Sequence, residues 1–263
     1  MKFLNLRYAF LILLPLFVSS FYAKAQLKGF DNLTYFDDRG IHFGFYLGLN
    51  TMDYRLRNYK NVYDNPVFID NDPLKANAAL KYEGQTSFAA EIYQIMPGFT
   101  VGGVINLRLD RDFDFRFTPG MSLGNRHFNY IGVTPLATNG QNQDTYLSTA
   151  SAYVDIPVGI RYKGFRHRNL RPYIYSGAAY RLDLENKRVS ESVIHLRKTG
   201  AYAELGFGLD SYLEYFRFTA EFRFSYGLDN LIRHDVDPVN TPYYGYIFKE
   251  VNSNIFSLIM YFE

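Results

Sequence analysis

The stretch YFRFTAEFRFSYGLD, residues 215–229, alternates residue by residue. Phe216, Phe218, Ala220, Phe222, Phe224, Tyr226 and Leu228 fall on one side; Arg217, Thr219, Glu221, Arg223, Ser225, Gly227 and Asp229 fall on the other. A period of two predicts a β-strand, because successive side chains leave a pleated chain on opposite faces. Two kinds of fold can use such a strand. In a soluble sandwich the phenylalanines face a protein core and the charges face water. In a membrane barrel the phenylalanines face lipid and the charges face the lumen.

The same alternation recurs at residues 40–53, 99–109, 113–126, 152–162, 173–185, 201–210 and 254–262, which makes eight strands with the first. The connections sort by length. Those near 110–112, 163–171 and 212–215 are short. Those at 55–97, 129–147, 186–197 and 230–249 are longer and rich in Asn, Asp, Pro and Gly. Short turns at one end and long loops at the other form the pattern of outer-membrane barrels, whose long loops lie outside the cell. A sandwich has no reason to sort its connections. The expected fold is therefore all-β: an eight-stranded antiparallel transmembrane up-and-down β-barrel with short periplasmic turns and long extracellular loops.

Energetics choose the orientation of the strands. An Arg on the lipid face near the midplane costs roughly 2–4 kcal/mol, and residues 215–229 carry Arg217, Glu221 and Arg223 on one face. These must point inward, and an eight-stranded barrel leaves only enough interior for side chains to fill. The expected lumen is a packed polar network in which Arg116, Arg161, Arg181, Arg217 and Arg223 pair with Asp155, Glu204 and Glu221. Pro157 lies within a strand although it lacks the ladder donor, so a bulge is expected there.

The first residues read as a targeting signal. Lys2 and Arg7 precede an apolar run of about a dozen residues, short of the ~20 a spanning helix needs, and Ala23-Lys24-Ala25 supplies a small-x-small cleavage site. The expected organisation is a cleaved signal peptide over 1–25, a periplasmic segment over 26–39 and a barrel over 40–263. Losing Lys2, Arg7 and Lys24 takes the formal net charge from +2 to −1, too little in either form to favour nucleic acid. No cysteine is present, which excludes disulfides, Cys-based metal or redox sites and lipidation at an N-terminal Cys.

The search for chemistry is mostly negative. His42, His127, His167, His195 and His234 lie far apart and form no metal-ligand spacing. His127, with Ser122 and Asp144 nearby in sequence, makes a weak hydrolase trio, since such sets are recognised by geometry. The glycine-rich run from Gly98 to Gly103 lacks the Gly-Lys-Ser/Thr ending of a phosphate loop, and DNPVFIDND at 64–72 lacks EF-hand spacing. No catalytic, cofactor or metal residues are expected. Tyr130, Tyr146, Tyr162, Tyr180, Tyr212, Tyr226 and Tyr261 fall near strand ends, as an interfacial girdle does. The ending Met260-Tyr261-Phe262-Glu263 resembles the aromatic signal read by the outer-membrane assembly machinery, with one Glu after the usual final Phe.

YVDIPVGIRY at 153–162, RPYIYSGA at 171–178, FGFYLGLN at 43–50 and PGFTVG at 97–102 together resemble the strands of the PorT-like outer-membrane β-barrels. The Asp-Ile-Pro strand is the most specific part. Within that family, DDRGIHFG at 37–44 and the stretch from Leu107 to Gly120 are similar to the member that serves type IX secretion. The resemblance implies a non-enzymatic barrel in the outer-membrane lipid, inserted by the assembly machinery. It also implies a role, alongside other type IX components, in exporting proteins that bear a C-terminal sorting signal. A general barrel that binds a surface ligand or mediates adhesion is the alternative.

Overall fold

The computed structural model describes residues 31–59, 89–131, 145–184, 196–232 and 248–263, with the backbone alone at 89–95, 126–131 and 145–150. The expected signal peptide, the calcium-like segment 64–72 and most of the long loops lie outside these residues. The strands are β1 (Ile41–Asn58), β2 (Ala89–Ile95), β3 (Pro97–Arg108), β4 (Phe113–Phe117), β5 (Gly120–Ile131), β6 (Thr145–Lys163), β7 (Leu170–Asp183), β8 (Thr199–Tyr212), β9 (Arg217–Gly227) and β10 (Phe248–Phe262). Every ladder is antiparallel. β2 and β3 make one wall strand interrupted at Met96, and β4 and β5 make another interrupted at Thr118-Pro119.

These strands form a ring of eight. β4 and β5 each pair with β3 on one side and β6 on the other, and each strand from β6 to β10 pairs with the next. The ring closes through β1, which pairs with β10 from Phe45↔Phe262 to Asn58↔Phe248 and with β3 from Ile41↔Leu107 to Thr51↔Pro97. A closed ring satisfies backbone donors and acceptors without water, which a hydrocarbon environment requires.

The two faces of the wall are inverted relative to a soluble protein. Along β9, Arg217, Thr219, Glu221, Arg223 and Ser225 are buried, while Phe222 between them is 52% exposed. Around the wall Phe43, Leu49, Ile174, Leu205, Phe207 and Phe256 are each more than half exposed. A continuous apolar exterior of this extent is a surface for lipid, not water. The short connections at 109–112, 164–169 and 213–216 share one end of the barrel, and the long ones leave from the other.

The strands run further than hydrophobic alternation alone predicted. β6 begins at Thr145 and β10 at Phe248, and β2 occupies part of the expected long connection 55–97. Toward the long-loop end polar residues such as Asn252 and Ser253 continue the ladder after the apolar alternation has lapsed.

Pro157 departs from expectation. The β6–β7 register passes through Ile156↔Tyr180, Pro157↔Ala179 and Val158↔Ala178 without a shift. On the other side, Phe117↔Val158 and Gly120↔Asp155 keep one register across the interruption. No bulge is needed, because Pro157 loses only one donor. Its carbonyl accepts from the Thr118 amide at 3.2 Å, and the Thr118 carbonyl, deprived of the reciprocal bond, accepts from the Tyr46 hydroxyl two strands along the wall at 3.3 Å. Among the described residues the register shifts lie at Arg57/Asn58 and between Ile92 and Ile95.

Candidate functional site in the lumen

The barrel interior is a chain of alternating charges. Lys163 meets Asp114 at 2.6 Å, Asp114 faces Arg161 at 3.9 Å, and Arg161 holds Asp210 at 2.6 Å. Asp210 lies 3.9 Å from Arg217, which bonds Glu263, and Glu263 reaches Arg116 at 2.9 Å. Arg116 pairs with Glu221 at 3.1 Å, Glu221 with Arg223 at 2.6 Å, and Arg223 with Glu204 at 3.2 Å. Glu204 then meets Arg181 at 2.6 Å, and Arg181 meets Asp155 at 3.0 Å. Six cations and six carboxylates thus alternate without a break.

Alternation is what makes such a lumen tolerable. Removing a charge from water costs several kcal/mol even after relaxation, and close opposite charges with satisfied hydrogen bonds must offset it. Tyrosines complete the packing. Arg161 lies 3.7 Å from the Tyr173 ring centre, Arg223 4.1 Å from Tyr175, Arg116 4.3 Å from Tyr261, and Arg181 4.3 Å from Tyr202. The phenols are also bonded: Tyr173 donates to Glu221, and Tyr261 lies 2.7 Å from an Arg223 nitrogen. Inward glycines leave room for these rings. A Cβ at Gly208 would lie 2.6 Å from Cε1 of Tyr173, and one at Gly159 2.6 Å from Cε2 of Tyr175.

Cross-strand register brings several pairs together directly. Asp155 faces Arg181 across β6–β7, and Asp114 faces Arg161 across β4–β6. Others cross the barrel, as Arg116 on β4 does to reach Glu221 on β9. The structure places Arg116, Asp155, Arg161, Arg181, Glu204, Arg217, Glu221 and Arg223 in this chain. Arg161 and Arg217 find carboxylates other than those first assigned to the lumen, because Asp114, Asp210 and Glu263 also face inward. Period-two alternation already put Asp114 and Asp210 on polar faces. Their part in the network was missed because alternation carries no partner information.

At the long-loop side of this chain the lumen changes character. Asp155 accepts from Ser122, which in turn bonds Thr100 at 2.9 Å. Beyond lies an apolar cluster of Met52, Tyr153, Ala179, Tyr202 and Ile255. Ser122 is therefore a lumen hydroxyl held by a carboxylate and a threonine. The His127 side chain and Asp144, the other members of the hydrolase trio, lie outside the described residues.

At the short-turn end residues 32–39 fold across the mouth. Asp37, on a 3-10 turn over Phe36–Asp38, accepts from the Tyr212 hydroxyl at 2.7 Å and from Arg171 at 3.1 Å, and lies 3.6 Å from Arg217. Phe36 stacks on His42 with centroids 4.2 Å apart and covers the Arg217 guanidinium at 4.7 Å. The His42 ring bonds the Phe36 carbonyl at 2.7 Å.

Residues 24–233 match the family described as outer membrane protein beta-barrel domain. A search of curated proteins finds no match. Among solved structures the chain is similar to the outer membrane protein OprG from Pseudomonas aeruginosa, at 12% identity and a TM-score of 0.40, over 85% of this chain and 92% of that one.

Proposed function

The chain belongs to the outer membrane protein β-barrel domain family, and from that premise we propose that it is a non-enzymatic accessory barrel of type IX secretion, PorT-like in kind. The observation that carries the first half of this reading is the unbroken charge chain from Lys163 to Asp155. A lumen filled by paired guanidinium groups, carboxylates and tyrosine rings has no room for a folded cargo, and eight strands cannot enclose one. Such a barrel works through what it presents at its two ends and on its wall. It supports a neighbouring conduit or its assembly, with other type IX components as partners and the outer-membrane assembly machinery acting at insertion.

The second half rests on the sequence resemblance of YVDIPVGIRY, RPYIYSGA and DDRGIHFG to the PorT-like barrels. Deleting the gene in its native host tests it: proteins with a C-terminal sorting signal should fail to reach the cell surface. Normal display of that cargo would overturn the secretion role and leave the surface-ligand or adhesion reading standing. The accessory role is checked separately in planar bilayers, where the purified barrel should give no steady conductance.

A further inference from the structure

The first residues of the motif DDRGIHFG, Asp37 to Arg39, belong to the segment 32–39 that closes the short-turn mouth, while Ile41 onward runs into β1. Asp37 enters the barrel with its side chain only 17% exposed. Groups on three different strands meet it: Arg171 on β7 and Tyr212 on β8 donate hydrogen bonds, and the Arg217 guanidinium on β9 lies 3.6 Å away. Phe36 supplies an aromatic face over Arg217, and Asp38 pairs with Arg108 at 3.0 Å on the rim. The backbone of the segment is held as well. Arg108 donates to the Asp37 carbonyl at 2.7 Å, and Arg166 donates to the carbonyls of Asn32 and Leu33. Asn32 donates to Asn169 at 2.8 Å and to the Tyr212 carbonyl at 3.1 Å.

These contacts are those of a bound peptide. The segment adds no strand to the sheet, its 3-10 turn buries no residue, and Leu33 is held at φ 51°, a strained left-handed conformation for a branched side chain. It is fastened by hydrogen bonds, ion pairs and the Phe36 ring, all of them groups that a competing segment can supply. The three groups beneath it belong to the barrel and remain when it leaves. We propose that the mouth formed by Arg171, Tyr212 and Arg217 is a carboxylate-recognition site for an aromatic-acidic segment of a partner protein, which residues 32–39 occupy as an internal ligand. Short turns face the periplasm in barrels of this kind, so the partner approaches from that side. The inference goes beyond the secretion reading and stands without it.

The test uses the full chain. It has no cysteine, and Tyr35 is 80% exposed, so Tyr35→Cys accepts a single spin label on the segment. Added in excess, a peptide NLTYFDDRG copying residues 32–40 should displace the segment and raise the label's mobility. The same peptide with Asp37→Asn should need about tenfold more, since it loses the charge-assisted bonds. In the labelled chain, Arg171→Ala or Tyr212→Phe should loosen the segment without any peptide. Closure of each barrel is verified by heat-modifiable gel mobility. An immobile label in every arm, or equal potency of the two peptides, would overturn the proposal.

Discussion

The Tyr46 hydroxyl reaches along the inner wall, past the neighbouring strand, to the Thr118 carbonyl 3.3 Å away, at the point in the wall where Pro157 has no amide hydrogen to give. A carbonyl in a closed barrel has no water to turn to, so a side chain on another strand takes over the missing ladder bond. Tyr46→Phe should lower stability in lipid vesicles by about 1 kcal/mol, the net value of one such bond. In a Pro157→Ala background, where the amide is restored, the same change should cost measurably less. Urea titrations of the four proteins give this double-mutant cycle, and an unchanged cost would break the link between the two residues.

Glu221 joins Arg116 to Arg223. Replacing Glu221 or Arg223 singly with Leu leaves a buried charge short of its partner and should cost about 3–5 kcal/mol. Because the two are bonded neighbours, the double replacement should cost less than the two single changes added together. Lys249→Ala, at an exposed position on β10, should stay within about 0.5 kcal/mol. Unfolding in vesicles separates the three cases.

Gly208 makes room for Tyr173, whose hydroxyl bonds Glu221. Gly208→Ala should push the ring off that position and destabilise the barrel by about 1–3 kcal/mol, as overpacking does. Gly208→Ala combined with Tyr173→Phe should recover little, since the ring remains. Combined with Tyr173→Leu it should recover more. The comparison tests whether space, and not the phenol bond, sets the requirement for glycine.

Phe222 faces outward between the inward Glu221 and Arg223. Phe222→Arg should cost roughly 2–4 kcal/mol in a bilayer and slow insertion into vesicles. In a detergent micelle, whose headgroups come closer to the residue, the penalty should be smaller. Equal stability of Phe222→Arg and wild type in the bilayer would place this face away from lipid.

Strand identity and facing were readable in the chain itself. The alternation in 215–229 needs no distant partner, because pleating sends Arg217, Glu221 and Arg223 to one side whatever surrounds them. The strand ends were less readable. Residues such as Thr145 and Asn252 pair in the ladder outside the alternating stretches, and backbone pairing there leaves no apolar period to read. Pro157 misled for a related reason: a local rule predicts a bulge, but the missing donor was replaced by Tyr46, far away in sequence.

By itself the sequence determined eight amphipathic strands with their charges on one face, through periodicity and the high cost of charge in lipid. Only the tertiary structure decided which charge meets which. Arg116 and Glu221 stand 105 residues apart and touch because closing the ring through β1 and β10 sets β4 opposite β9 across a narrow lumen. The same closure gathers Arg171, Tyr212 and Arg217 at one mouth and gives Asp37 its site. Pairing across a barrel depends on register and closure, which belong to the whole ring and to no single strand.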